Sequence, residues 1–384
     1  MPVLTCGGMR YQASWNGEET DKITEEGQAN LAATLQRAVE NGITHVETAR
    51  GYGTSELQIG RALRNLPRRK IILQTKLPPT ETGEEYEQIF EESLQRLGVE
   101  KVELLSVHGI NDDACLCRTL RPGGPIDVLE KLRRQGRIDH IGFSTHGPTR
   151  VILDAIRTGR FDYVNLHWYW IFQENFPAVL EARHHDMGVF IISPNDKGGK
   201  LYAPSEKLVE LTQPLGPMVW NDLFCLGHQQ VHTLSIGASC PEDFDTHLEA
   251  VDLMDQPDTR ETVAKICVRV GQAMLDAHGA DWLDTWHIGL PEWQDTPGDV
   301  NIRVIVWLWN LVTGLELEEY ARGRYNLLGN GGHWFPGAKA EDMDISAIRE
   351  SLSNSPHADR IIEVLQETHE LLGGEEVKRL QEEG

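Results

Sequence analysis

Cysteine is scarce in this chain: six among 384 residues, at Cys6, Cys115, Cys117, Cys225, Cys240 and Cys267, without the density or spacing of a disulfide framework. Reduced thiols are expected. Cys115 and Cys117 stand two apart in what reads as a loop, and no further ligands follow at finger-like spacing, so they do not announce a zinc site. Long apolar runs are missing too. The most apolar stretch, Val304 to Val312, is nine residues long and contains Asn310, whereas a membrane-spanning helix needs about 20. No membrane span is expected. Positive charge is the third shortage: 36 Lys and Arg against 59 Asp and Glu leave a net charge of −23, which repels phosphate backbones and anionic lipid. Nucleic-acid and membrane-surface roles are therefore disfavoured. The opening MPVLTCGGMR lacks the basic region, apolar run and small-residue cleavage site of a secretion signal, so the expected compartment is the cytoplasm.

What is present is the composition of a folded protein, 40% apolar and 25% charged. A length of 384 residues exceeds the roughly 250–300 that one core usually organises, which predicts a large domain and a smaller one. Short apolar runs alternate with stretches of helical period. The runs PVLTCGG, HVETA, IILQTK, VELLSVH, HIGFST, YVNLHW, GVFIISP and HTLSIGA begin at Pro2, His45, Ile71, Val102, His140, Tyr163, Gly188 and His232. Between them, segments such as ANLAATLQRAVENG repeat apolar residues every fourth position, at Leu31, Leu35 and Val39. Gly42, Gly98, Gly136 and Gly188 follow four of these segments, where a left-handed helix cap is wanted. Eight such units have the rhythm of an α/β (β/α)8 TIM barrel. A doubly wound open sheet is the alternative, but no G-x-G-x-x-G follows the first strand.

The pattern changes after Asp255. QPDTRET reads as a linker, and beyond it six of the ten tryptophans fall between Trp282 and Trp334 among helical patterns. The expected division is a barrel over 1–255 and a small, mainly helical domain over 256–384. The tail, ending EEVKRLQEEG, reads as an amphipathic helix with a solvated acidic end, and a protein partner for it is left open.

In such a barrel, reactive groups sit at the C-terminal ends of the strands. Glu47, Tyr52, Lys76 and His108 meet that condition on three adjacent strands. Taken singly, a strand-end lysine is usually a surface charge, and a lone histidine beside an apolar strand is usually a core residue. Together they suit carbonyl reduction. A phenol with pKa near 10 needs a neighbouring cation to become a usable proton donor, and a lysine held by a carboxylate supplies one. A metal-dependent hydrolase is a weaker reading, prompted by His45, Glu47, His108, His146 and His167; the first strand lacks the His-x-His pair from which such sites usually start.

The run GITHVETARGYGTSELQIGRAL closely resembles the aldo-keto reductase signature, with Glu47 and Tyr52 at its acidic and tyrosine positions. Lys76 in ILQTK and His108 in LLSVHGI match the family lysine and histidine. The resemblance covers Pro2 to about Asp252. It implies a (β/α)8 barrel, a nicotinamide cofactor (NADPH or NADH) and hydride transfer to a small aldehyde or ketone. Tyr52 would protonate the carbonyl oxygen, Lys76 and Glu47 would tune it, and His108 would complete the oxyanion pocket. The family's acidic member is usually Asp, so Glu47 shifts the charge by one methylene and weak or altered activity is expected. No counterpart of the family's N-terminal hairpin precedes Pro2, so a shortened start is expected.

The resemblance also implies cofactor positions. Ser144 and Thr145 match a Ser-Asn pair, and Asn165 replaces a glutamine that likewise holds the nicotinamide amide. Ser193, Gly198, Gly199 and Leu201 in SPNDKGGKL match the pyrophosphate loop, and Ile192 replaces a stacking aromatic, with Trp168 a candidate substitute. Where the family places Lys or Arg for the NADP 2′-phosphate, this chain has Gly237, Ser239 and Asp243, and an Asp facing a ribose hydroxyl opens NADH. PGDVNIRVIVWLWN, ARGRYNLL and DISAIRESL resemble the C-terminal ferredoxin-like extension of a bacterial, cyanobacterial-like subgroup. The cluster cysteines expected around His287 to Thr296 and Asn330 to Ala340 are replaced, so no iron–sulfur cluster and no metal are expected, and the tryptophans would fill that space. A cofactor-binding, non-catalytic scaffold or redox sensor is the alternative function. Trp15, Trp168, Trp170 and Trp220 suggest an aromatic-walled pocket.

Overall fold

Each of the eight apolar runs forms a strand in the computed structural model, which describes residues 1–329 and 336–374. The strands are β1 Leu4–Gly7, β2 His45–Glu47, β3 Ile72–Leu77, β4 Leu104–His108, β5 His140–Ser144, β6 Tyr163–Leu166, β7 Gly188–Ile192 and β8 Thr233–Ile236. All pair in parallel in chain order, and β8 returns to β1, closing the barrel. Closure excludes the open doubly wound sheet. The strands are short and buried on both faces, which explains why they read as apolar runs rather than as alternating patterns.

The helices around them are α1 Glu25–Glu40, α2 Ser55–Leu63, α3 Gly83–Leu97, α4 Asp113–Leu120, α5 Pro125–Arg134, α6 Thr149–Arg157 and α7 Phe176–His184; later come α8 Glu206–Thr212, α9 Pro217–Leu226 and α10 Asp245–Met254. Their ends follow local chemistry. Thr24 and Thr82 cap α1 and α3 by accepting from Gly27 and Glu85 amides, and Gly98 ends α3 at φ 64°. Gly42 and Gly136 are left-handed as well, but Gly188 begins β7 and the left-handed residue before it is Asp186. Cys115 and Cys117 lie in α4, not in a loop, because Asp112 accepts from the Cys115 amide and starts a helix there.

Inside the barrel, Ile72, Leu104, Tyr163 and Phe190 form an apolar plug. Tyr163 lies so close to β5 that a Cβ on Gly142 would stand 2.3 Å from its ring. Above the plug runs a polar girdle. Thr233 bonds Thr5 (2.8 Å), Thr5 bonds His45 Nδ1 (2.7 Å), and His45 Nε2 meets Gln74 Oε1 (2.9 Å). Gln74 Nε2 then donates to Ser106 (3.1 Å), which bonds the Tyr163 hydroxyl (2.8 Å). Burial pushes the His45 pKa down to about 4, so the ring is a neutral member of this network.

The chain divides into two compact units. One comprises Met1–Gly198 with Met218–Thr259 and contains the barrel; the other comprises Gly199–Pro217 and the described residues from Arg260 to Gly374. The second unit is helical: α8, α11 Thr259–His278, α12 Ala280–Thr285, α13 Ile302–Leu315, α14 Glu318–Tyr325, α15 Ile345–Ser351 and α16 Ala358–Leu372. Its α13 buries Ile302, Ile305, Val306, Leu308, Leu311 and Leu315. The Trp282 indole donates to Asn310 Oδ1 (2.8 Å), and its ring meets Trp309 edge-on at 5.8 Å. The segment before α8 is tied into this unit, with Ser205 donating to the Leu315 carbonyl (2.8 Å) and Lys200 paired with Glu319. Trp334, most of the window from Asn330 to Ala340 and the acidic end after Gly374 lie outside the described residues. Among the described residues no helix is long and apolar enough to cross a membrane.

Candidate active site

Glu47 and His108 end β2 and β4, Lys76 is the penultimate residue of β3, and Tyr52 comes from the loop between β2 and α2. The fold brings the four together. Lys76 Nζ pairs with Glu47 Oε1, donates to the Thr48 carbonyl at 3.1 Å, and stands 3.5 Å from the Tyr52 hydroxyl. The other Glu47 oxygen accepts from Ser235 Oγ of β8 at 2.6 Å. Gly7 permits that approach, since a Cβ there would sit 3.1 Å from Ser235 Oγ and 2.9 Å from the Ile236 carbonyl. Glu47 thus holds the lysine of β3 with one oxygen and the serine of β8, two strands away on the other side, with the other.

The electrostatics follow from burial and pairing. Burial alone would discharge both Lys76 and Glu47, but each holds the other charged: the Lys76 pKa is raised by Glu47 and Tyr52, and the Glu47 pKa is lowered by Lys76 and by hydrogen bonds from Lys76 and Ser235. Burial raises the Tyr52 pKa, reinforced by Glu47 and opposed by Lys76, so the phenol keeps its proton at neutral pH. Burial and then the Lys76 charge drive the His108 pKa down to about 3, leaving a neutral imidazole whose ring lies 5.5 Å from Tyr52 at 87°. Ser235 was missed by sequence reasoning. Its signal is a polar residue near the C-terminal end of an apolar strand.

Of the residues assigned to a cofactor, those of the barrel unit lie in or after β5 to β8, and most are already bonded to backbone or side chains of the protein. Ser144 Oγ accepts from the Gly109 amide (3.2 Å), while Thr145 Oγ1 donates to the Ile110 carbonyl (2.7 Å) and accepts from the Gly147 amide (2.9 Å). Asn165 is fully buried; its Oδ1 accepts from Gln74 (2.9 Å), and its Nδ2 has no partner. Ser193 adopts φ 54°, and a Cβ on Gly198 would stand 2.0 Å from the Pro194 carbonyl, so the turn there requires glycine. Gly199 and Leu201 belong to the helical unit. Gly237 faces the Arg10 side chain, which a Cβ would meet at 3.2 Å.

The structure bears on two further residues of this set. Asp243 is exposed but partly engaged: its Oδ2 accepts from the Ser239 amide (2.7 Å), the Ser239 hydroxyl (2.8 Å) and the Cys240 amide (3.3 Å). Burial opposes its charge, but these bonds hold its pKa below the usual value. Trp168 does not replace the stacking aromatic, because its ring is buried among Phe176 (5.4 Å), Phe224 (5.0 Å) and His228 (4.7 Å). Of the other proposed pocket tryptophans, Trp15 lies edge-on to Tyr52 at 6.4 Å, and Trp170 meets the buried Trp220 at 5.5 Å.

His146 and His167 are used differently from metal ligands. Their rings stack at 4.8 Å, with His146 Nδ1 2.6 Å from His167 Nε2. Lys197 Nζ reaches the same nitrogen at 3.2 Å. On its other edge, His167 Nδ1 lies 2.7 Å from the Tyr169 hydroxyl, which donates to the Ile192 carbonyl. Among the described residues no group of three or more His, Cys, Asp or Glu side chains converges as metal ligands.

The aldo/keto reductase family model matches residues 3–198, half of the chain and seven of the eight strands. This chain belongs to the aldo/keto reductase family. A relative from Glycine max, "Probable aldo-keto reductase 1", is 28% identical over 199 residues, covering 47% of this chain and 54% of its own length. The aldo/keto reductase chain thus spans about half the length of that curated relative. Among solved structures, the holo form of an aldo-keto reductase from Bacillus halodurans superposes with a TM-score of 0.57 at 20% identity, covering 69% of this chain and 91% of its own. An aldo-keto reductase from Klebsiella pneumoniae in complex with NADPH gives 0.54 at 18% identity with the same coverage. At those identities the structural likeness speaks for the barrel fold.

Proposed function

We propose that this aldo/keto reductase is an NAD(P)H-dependent oxidoreductase that reduces a small aldehyde or ketone, with Tyr52 as the proton donor. The observation that carries the reading is the buried Lys76–Glu47 pair with the Tyr52 hydroxyl 3.5 Å from the ammonium. A protonated phenol beside a fixed cation is built to release a proton as negative charge develops on a carbonyl oxygen. Lys76 stabilises the phenolate left behind, and Glu47, anchored by Ser235, keeps the ammonium in place. His108, neutral at physiological pH, offers a ring N–H to the same oxygen without repelling Lys76.

The donor set fits a nicotinamide cofactor: the buried, unpartnered Nδ2 of Asn165 stands where the resemblance calls for a donor to the carboxamide. When bound, the cofactor supplies the hydride. Ser144, Thr145 and Asn165 would hold its amide end, and Ser193 and Gly198 would line the path of its phosphates. The Klebsiella neighbour carries NADPH. Here Asp243 occupies the amides and hydroxyl of the Ser239–Cys240 turn with a carboxylate of its own, and an added 2′-phosphate would meet that charge, which favours NADH. Parallel titrations of NADH and NADPH followed by tryptophan fluorescence decide this; tighter NADPH binding would overturn the preference.

The helical unit is read as a degenerate ferredoxin-like domain on the sequence resemblance alone. The Trp282 contacts with Asn310 and Trp309 support a packing role. Steady-state oxidation of NADH and NADPH with a panel of aldehydes and quinones tests the whole proposal. Native protein turns over at least one acceptor, and Tyr52→Phe is slower by about 10²–10⁴-fold. Cofactor binding without turnover of any acceptor would instead support a non-catalytic scaffold.

A further inference from the structure

A second polar bridge runs behind the barrel wall, through Thr75, Glu56 and Arg96. Thr75 precedes Lys76 on β3, so its side chain points away from the barrel axis, where its hydroxyl donates to Glu56 Oε1 of α2 at 2.7 Å. Glu56 is fully buried, and its other oxygen lies 3.5 Å from Arg96 Nε on α3, an electrostatic contact without a hydrogen bond; burial raises the Glu56 pKa, and Thr75, Ser93 and the Arg50 and Arg96 charges oppose that rise. The Arg96 guanidinium continues to the loops. Nη2 donates to the Gly53 carbonyl at 2.7 Å and Nη1 to the Gly17 carbonyl at 3.2 Å. Gly53 immediately follows Tyr52. The bridge therefore links the strand that carries Lys76 to the loop that carries Tyr52, by a route independent of their direct contact.

The loop it grips leaves little room for adjustment. Gly53 has φ 52°, and a Cβ there would lie 1.9 Å from the Ser14 carbonyl. Thr54 ties the same two loops together: its amide donates to Ser14 O (3.0 Å), and its hydroxyl oxygen accepts from the Ala13 (3.0 Å) and Ser14 (3.2 Å) amides. Trp15, next in line, stands edge-on to the Tyr52 ring. Other charges around Arg96 are Arg50, itself paired with Glu92 at 3.2 Å, and the exposed Glu18 at 4.0 Å.

We propose that Arg96 and Glu56 are positioning residues that set the spacing between the Tyr52 hydroxyl and the Lys76 ammonium and hold Trp15 beside the carbonyl-binding face. The inference rests on the reading of Tyr52 as proton donor. A planar guanidinium reaches two carbonyls and a carboxylate at once; a lysine ammonium at the same position cannot keep all three. Arg96→Lys therefore releases the Gly53 carbonyl, and a displaced Tyr52 loses the influence of Lys76. Because that cation lowers the phenol pKa, its withdrawal raises it.

The test compares Arg96→Lys, Glu56→Gln, Tyr52→Phe and the Arg96→Lys/Tyr52→Phe double variant, each first shown to be folded by its urea midpoint. Arg96→Lys is expected to lower kcat by about 10–100-fold, the scale of a small misplacement of a reacting group. It leaves cofactor Kd within about twofold and moves the alkaline limb of the kcat/KM profile to higher pH. Glu56→Gln, which keeps a bond to Thr75, shows the same changes in smaller degree. In the Tyr52→Phe background, Arg96→Lys adds less than about twofold. Native kcat and an unmoved alkaline limb in Arg96→Lys would overturn the inference, as would an equal loss in the Tyr52→Phe background, which marks general destabilisation. Native activity in Tyr52→Phe would overturn the underlying reading, and that outcome is separable because it does not involve Arg96.

Discussion

The two walls of the barrel mouth differ in how their polar groups are satisfied. On the wall formed by β2, β3 and β4, Lys76 and Glu47 are charged and buried, and each finds its partner across strands. On the wall formed by β5 to β8, Ser144 and Thr145 bond backbone groups of the loop that follows β4, Asp243 bonds the backbone of its own turn, and Asn165 keeps one donor without a partner. A buried charge left unpaired costs several kcal/mol, so the charged wall has to be complete in the protein itself. Hydrogen bonds between neutral hydroxyls and backbone amides bring only a small net gain, so losing one of them costs less than exposing a buried charge. The first wall is complete in the folded protein; the second is the one that the proposed function assigns to a cofactor.

The largest way to break this contrast is to remove one charge of the pair. Glu47→Gln or Lys76→Met should each destabilise the protein by roughly 3–5 kcal/mol in urea unfolding, and the double substitution should cost less than the sum. Additive losses would mean that the two groups do not act as a pair. The girdle beneath them gives the next effect. His45 has a folded pKa of about 4 against 6.5 unfolded. A depressed pKa means that the unfolded chain binds the proton first, so stability is full above pH 6.5 and declines as pH falls from there towards 4, by about 3 kcal/mol at most. The urea midpoint of His45→Gln should fall less over that interval than that of native protein. Glu47 adds a further acid loss, confined to pH below its unfolded value of 4.5 because its folded pKa is lowered.

On the other wall the effects appear in binding. Asn165→Leu removes the unpartnered donor and should weaken cofactor affinity by about 10-fold, the scale of one buried hydrogen bond, with little change in kcat at saturation. Unchanged affinity would show that this wall does not receive the amide. Asp243→Ser is the smallest change: the ratio of NADPH to NADH affinity should rise severalfold, measured by the same fluorescence titration.

What could be read in the sequence divides along similar physical lines. The eight strands were legible because strands buried on both faces leave uninterrupted apolar runs, and helix limits were legible where Thr24, Thr82 and Gly98 act on their own neighbours. The quartet was legible because polar residues at the ends of apolar strands have few other reasons to be there. Ser235 was not, since its meeting with Glu47 spans 188 positions of chain. The bridge through Glu56 and Arg96 escaped notice because both residues sit in helices whose period alone accounts for them. The bonds of Asp243 to its own Ser239–Cys240 turn depend on loop geometry that no periodicity reports, and nothing in the composition of Gly199–Pro217 marks it as part of the helical unit.

The central claim is that the charged wall supplies the proton independently of cofactor binding. Single-turnover oxidation of bound cofactor by an accepted aldehyde, in native protein and in Tyr52→Phe, tests it most directly when cofactor Kd is measured on the same samples. The account predicts a rate lower by about 10²–10⁴-fold in Tyr52→Phe with an unchanged Kd. A native rate, or a loss explained entirely by weaker cofactor binding, would contradict it.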